Sequence, residues 1–129
     1  MIIIDTNIIS TFCRVDQLSL LFRLFCKDKF GIVSAVYDEL MEAIRLGDSF
    51  LEKVQSSIDS GELQLISLHP DELRAKQGLH RSFGSVDLAS IIVCRERSYI
   101  LLTNDKRVKN FCQKKVSLFM ISHASARLM

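Results

Sequence analysis

Five short apolar runs, MIII, FGIV, LQLIS, YILLT and VSLFMI, recur along the chain with helical stretches between them. Such runs are too brief for helices and read as strands of a buried sheet. Strands that alternate with helices predict a central, mainly parallel sheet covered on both faces, a three-layer α/β/α architecture. In sheets of this kind ligands bind outside the carboxyl ends of the strands. Strands are expected at Met1–Ile4, Phe30–Val33, Leu63–Ser67, Tyr99–Thr103 and Val116–Ile121. Helices are expected after Asp5 and over Asp16–Lys27, Ala35–Leu46 (capped by Ser34), Ser49–Ser60, Pro70–Lys76, Val86–Arg97 (capped by Ser85) and Asp105–Lys114. Gly47 and Gly61 close two of them, and GLHRSFGS reads as a loop.

A chain of 129 residues with 48% hydrophobic and 25% charged residues, one Pro and five Gly, is expected to fold as one domain over 1–129 rather than stay disordered. Its 17 Lys and Arg against 15 Asp and Glu neither demand nor exclude a nucleic-acid partner, so local charge placement decides. No apolar run approaches the ~20 residues of a membrane span. The first residues carry no basic n-region, so a cytoplasmic protein without a signal peptide is expected. Cys13, Cys26, Cys94 and Cys112 form no C-x-x-C pair and sit in apolar, helical settings. They read as reduced, partly buried thiols, not zinc ligands. His69, His80 and His123 are scattered and make no metal motif.

The first strand runs straight into Asp5, and YILLT leads to Asp105. If the two strands are parallel, both acids stand at the same sheet edge. Asp87 lies in the first turn of Val86–Arg97, a helix apolar nearly all round and so expected to be buried. In Ala35–Leu46, Val36, Leu40 and Ile44 define the core stripe at about 100° per residue. Glu39 flanks that stripe, while Asp38 and Glu42 face away. Singly, Asp5, Asp87 and Asp105 could each cap or complement a helix N-terminus, and Glu39 could be a solvated acid. Gathered at one edge, four carboxylates repel one another, and a divalent cation resolves the conflict. Hard oxygen donors without Cys or His favour Mg²⁺ or Mn²⁺ over zinc.

The segments IIIDTN, AVYDEL, GSVDLASIIVCRE and ILLTND resemble the ordered acidic motifs of PIN-domain nucleases, and the match runs from Ile2 to about Ile121. The resemblance implies that Asp5, Glu39, Asp87 and Asp105 are the catalytic and metal-binding acids. It implies that Asn7 and Thr103 support them by hydrogen bonding. It further implies Mg²⁺- or Mn²⁺-dependent hydrolysis of mostly single-stranded RNA, leaving 5′-phosphate and 3′-hydroxyl ends. Many members of the family are toxins of toxin–antitoxin pairs and others process RNA, so a small antitoxin partner and a homodimer are among the expectations.

Basic residues must offset an acidic site if it is to receive RNA. Lys106, Arg107, Lys109, Lys114 and Lys115 follow the fourth acid, and Arg81 precedes Asp87. Their ordinary role is solvation of an exposed face. Phe83, the one aromatic candidate for base stacking, reads rather as packing. The helix Asp16–Lys27 carries more apolar residues than one core-facing stripe needs, which points to an oligomer or partner interface. Three other functions stay open on the sequence. One is a PIN-like module that binds RNA or protein without cutting. A haloacid-dehalogenase-like phosphatase would need a second Asp where Asn7 stands. A response-regulator receiver usually has paired acids where this chain has Asp5 alone.

Overall fold

The computed structural model describes residues 1–78, 83–112 and 117–120. The strands are β1 (Ile2–Ile4), β2 (Phe30–Val33), β3 (Leu63–Ile66), β4 (Ile100–Thr103) and β5 (Ser117–Met120). They form one sheet in the order β3-β2-β1-β4-β5, and every pairing is parallel. The helices are α1 (Thr6–Arg14), α2 (Leu18–Leu24), α3 (Ser34–Arg45), α4 (Glu52–Asp59), α5 (Pro70–Gln77), α6 (Ser85–Arg97) and α7 (Lys106–Cys112). A 3₁₀ turn at Ser49–Leu51 precedes α4. This is the expected three-layer α/β/α architecture. Among the described residues no helix is long and apolar enough to cross a membrane.

The centre of the sheet explains the apolar runs. β1 is flanked by β2 and β4, and Ile2, Ile3 and Ile4 are all buried, as are Ile32, Val33, Leu101 and Leu102. The edge strand β3 shows the contrast: Leu63 and Ile66 are buried while Gln64 and Leu65 between them are exposed. Helix α6 buries seven consecutive residues, Leu88 to Cys94, so both flanks of the helix meet protein. A helix buried all round is held in one orientation, and its N-terminus is aimed accordingly.

Close packing under the sheet makes one glycine critical. A Cβ on Gly31 would lie 3.0 Å from Ile66 Cγ1 and 3.1 Å from Met1 Sδ. Gly31→Ala is therefore expected to destabilise the protein by about 1–3 kcal/mol through overpacking. Urea denaturation should show a lower midpoint with an unchanged slope.

Several boundaries differ from the expectation. Ser34 and Ser85 lie inside their helices; Val33 and Gly84 take the N-cap positions, and neither helix has a side-chain cap bond. The chain enters α2 through Asp16, which has φ 57°, and leaves it at Leu24, so that helix is shorter than Asp16–Lys27. Asp tolerates this left-handed backbone better than most residues. Most of the excess apolar surface of α2 goes into the chain's own core. Leu18 and Leu21 are buried, Phe22 and Phe25 pack on Phe30 with ring centroids 5.1 and 6.3 Å apart, and Leu24 alone of this set is largely exposed. Cys13 and Cys94 are buried, but Cys26 falls beyond the helix and is exposed. Burial pushes the Cys13 thiol up to about 11, which keeps it protonated and unreactive. The parts of the expected last helix and strand at 113–116 and 121, and Arg81, Lys114, Lys115, His80 and His123, lie outside the described residues.

Candidate active site

Asp5 is the first residue past β1, and its backbone N–H donates to Leu102 O on β4 at 3.2 Å. That bond carries the sheet ladder up to the carboxylate. The side chain then does two things at once. Oδ1 accepts the Ile8 N–H at 2.9 Å and caps α1, and Oδ2 accepts a hydrogen bond from Thr103 Oγ1. Thr103 closes β4 and is fully buried; its Oγ1 also accepts the Asp105 N–H at 3.1 Å. Asp105 in turn caps α7, accepting the Arg107 N–H on Oδ1 at 2.9 Å. The capping role and the site role of these acids are therefore not rivals. Caps fix the carboxylates in place, and each retains lone pairs for other partners.

Asp87 enters from the first turn of α6 and Glu39 from the exposed flank of α3. One cleft of about 250 Å³ is lined by Asp5, Glu39, Asp87 and Asp105, together with Thr6, Asn7, Gly84, Ser85 and Val86. The four acids named from the sequence thus come from four separate segments to one cavity. Asp38 and Glu42 do not line it, and Glu42 pairs with Arg45 on the outer face of α3. Asn7 lines the cleft with an exposed side chain, while its carbonyl accepts from Thr11. Thr103 acts from behind, through Asp5 and Asp105.

Thr6 and Ser85 also line the cleft, and neither was expected there from the sequence. The Thr6 hydroxyl oxygen is buried and has no hydrogen-bond partner among the described residues. Its position beside Asp5 in DTN was the available signal. Phe83 is buried edge-on against Phe111, with centroids 5.2 Å apart, as expected of packing.

The electrostatics are those of crowded carboxylates. Burial raises the Asp5 pKa to about 6; the Thr103 and Ile8 hydrogen bonds oppose the rise, and Asp87 and Asp105 add to it. Asp87 is also raised, first by burial and then by Asp105, with Arg107 pulling the other way. Asp5, Asp87 and Asp105 therefore sense one another, and a cation placed among them lowers the energy of all three. Among the described residues no Cys or His lines the cleft, and its donors are hard oxygens, one of them the Thr6 hydroxyl. This set fits Mg²⁺ or Mn²⁺. Among the described residues no three His, Cys, Asp or Glu side chains already stand grouped as ion ligands. Mg²⁺ does not require such a group, since it typically binds one or two protein carboxylates and keeps several waters.

A parallel sheet in the order 3-2-1-4-5, with acids at the carboxyl ends of β1 and β4 facing one cleft, defines an α/β domain built to gather oxygen ligands. A family model described as a PIN domain matches residues 1–120, and the chain belongs to the PIN-domain family. Its fold is similar to VapBC2 from Rickettsia felis, solved bound to a DNA fragment from its promoter. The identity is 21% over 93% of this chain and 98% of that one, with a TM-score of 0.70. It is also similar to a domain of a functionally unknown protein from Methanocaldococcus jannaschii (22% identity, 94% and 90% covered, TM-score 0.61). FitAcB from Neisseria gonorrhoeae is a third similar structure (16% identity, 92% and 96% covered, TM-score 0.60). No curated protein sequence matches the chain significantly. Family membership removes the phosphatase and receiver readings. The strand order agrees, because receivers run 2-1-3-4-5.

Proposed function

We propose that the chain is a metal-dependent endoribonuclease that hydrolyses phosphodiester bonds of single-stranded RNA. The observation that carries this is the meeting of Asp5, Glu39, Asp87 and Asp105 in one cleft of a PIN-family chain. Asp5 and Asp87 would hold Mg²⁺ or Mn²⁺, with Glu39 and Asp105 completing the ligand set. When bound, such an ion polarises a phosphoryl oxygen and makes water a stronger nucleophile at neutral pH. The chain's own part is positional. Thr103 holds the Asp5 and Asp105 segments in register, and the buried α6 aims Asp87 into the cleft. The N-terminal end of α6, with Gly84 and Ser85 at the cleft wall, also favours a phosphate there. The likeness to VapBC2 and FitAcB supports a place in a toxin–antitoxin pair, with a small antitoxin protein as partner. A cytoplasmic homodimer is the assembly we infer.

The test is cleavage of a mixed-sequence single-stranded RNA with Mn²⁺. The parent protein is expected to cut it and leave 5′-phosphates. Asp87→Asn, shown to be folded by circular dichroism, should cut at least about 100-fold more slowly, since loss of even a supporting partner of a metal ligand costs 10–100-fold. Equal cleavage by parent and variant would overturn the proposal. The alternative outcome is a PIN-like module that binds RNA or protein without cutting. RNA binding with no cleavage in Mn²⁺ would select it.

A further inference from the structure

We propose that Arg107 and Lys76 form a two-point phosphate clamp that holds a single RNA strand at the acidic cleft. The inference rests on the nuclease reading of that cleft and names the residues that bring its substrate in. A cavity lined by four carboxylates repels a phosphodiester backbone, so cations must stand where the strand enters and leaves. Among the described residues, two are fastened to cleft residues, from different elements.

Arg107, in the first turn of α7, is bound to Asp105 through its own backbone N–H, and its Nη2 lies 3.7 Å from Asp105 Oδ2. Its guanidinium carbon stands 5.9 Å from the centroid of the Phe83 ring. Phe83 is itself buried against Phe111, so the ring is a fixed platform. The Arg107 side chain is 68% exposed, and its carboxylate contact is longer than a hydrogen bond. The guanidinium is thus placed by a ring face and a loose ion pair, and its fork of donors is left for a phosphate, which it fits in two-point geometry.

Lys76, in the last turn of α5, donates from Nζ to Ser85 Oγ at 2.7 Å, and Ser85 lines the cleft. A hydroxyl partner positions the ammonium without cancelling its charge. Helix α5 cannot drift, because Glu72 near its start is locked to Arg97 of α6 by two hydrogen bonds of 2.7 and 2.9 Å. Arg97 also donates to Ser67 O. Both cations are therefore held by rigid elements and offer phosphate contacts that carry no sequence information, which suits the positioning of a strand rather than its selection.

Arg107→Gln, Lys76→Gln and the double variant test the clamp. Anisotropy of a labelled, mixed-sequence, single-stranded oligoribonucleotide is measured in EDTA from about 50 to 200 mM salt. Each lost phosphate contact should reduce the slope of log K against log salt by about 0.7, and the double variant by about 1.4, with Kd raised roughly threefold or more per site. Arg107→Lys should recover most of the slope. Calorimetry of Mn²⁺ without RNA supplies an opposite sign: Arg107→Gln should bind the ion more tightly, because Asp105 loses a competing cation. A variant that is merely damaged would lose both affinities. An unchanged slope in either single variant, or a parent that binds no RNA, overturns the clamp. Because EDTA withholds the ion, the slopes read phosphate contact whether or not the protein cuts. RNA left intact by the parent in Mn²⁺ would sink the nuclease reading and leave the clamp standing.

Discussion

Asp5→Asn is expected to give a protein that is more stable than the parent at pH 7 without metal, and that no longer cuts RNA. The Asp5 pKa is about 6 in the folded chain against an ordinary 3.8, with burial as the main cause. A carboxyl with a raised folded pKa binds protons more tightly in the native state than in the unfolded one. Stability from this group is therefore full below about pH 3.8, falls as pH rises to about 6, and stays lost above that. The whole swing is about 3 kcal/mol at most. Asn has the same shape and no charge. Its Oδ1 can still accept the Ile8 N–H, and its amide can donate to Thr103 Oγ1, reversing the bond that Asp5 accepts. Relief of the charge is partly offset because the buried Thr103 hydroxyl loses its acceptor, so a net gain of about 1 kcal/mol follows, visible as a higher denaturation midpoint at pH 7 and no gain at pH 4. Under the proposed function cleavage should fall at least about 100-fold, since loss of even a supporting partner of a metal ligand costs 10–100-fold. A variant less stable than the parent at pH 7 in EDTA would show that Asp5 is an ordinary structural cap.

Divalent ions should reverse the penalty in the parent. A ligand that binds only the folded state adds about 2.7 kcal/mol at a hundredfold excess over Kd. Mn²⁺ or Mg²⁺ should therefore raise the melting temperature by several degrees. The gain should grow from pH 5 to pH 8, because Asp5 and Asp87, both raised by burial, must lose protons before they can hold a cation. The metal-free protein should move the opposite way over the lower part of that range. An Asp5→Asn/Asp87→Asn double variant should show neither trend. A melting temperature indifferent to Mn²⁺ at pH 8 would contradict the cation-binding role of the cleft.

The parts of the site that were legible in the sequence are those fixed by local chemistry. An apolar run long enough to span a buried sheet has a definite end, and in IIIDTN and ILLTND that end is marked by a polar residue. Asp5 and Asp105, each just past such an end, could therefore be placed at one edge before any coordinates. Glu39 was separated from Asp38 and Glu42 by helical periodicity alone. What was not legible depends on contacts between distant segments. Lys76 meets Ser85 where α5 is tied to α6 through Glu72 and Arg97, residues 25 positions apart. Thr103 couples Asp5 to Asp105 across β1 and β4, a pairing no spacing announces. The helix caps were misplaced by one residue, because a Ser near a helix start suits N-cap and first turn alike, and Ser34 and Ser85 each take the first helical position. The apolar surplus of Leu18–Leu24 looked like an interface because a sequence shows no depth, whereas Phe22 and Phe25 have Phe30 to pack on.

Calorimetric titration of Mn²⁺ into the metal-free parent, Asp5→Asn and Asp87→Asn at pH 6 and pH 8 is the most direct test of the acid cleft. Uptake by the parent, with protons released at pH 6 and few at pH 8, and loss of uptake in both variants is the result expected of carboxylates gathered to hold a catalytic ion. No heat from the parent, or equal uptake by all three proteins, would contradict it.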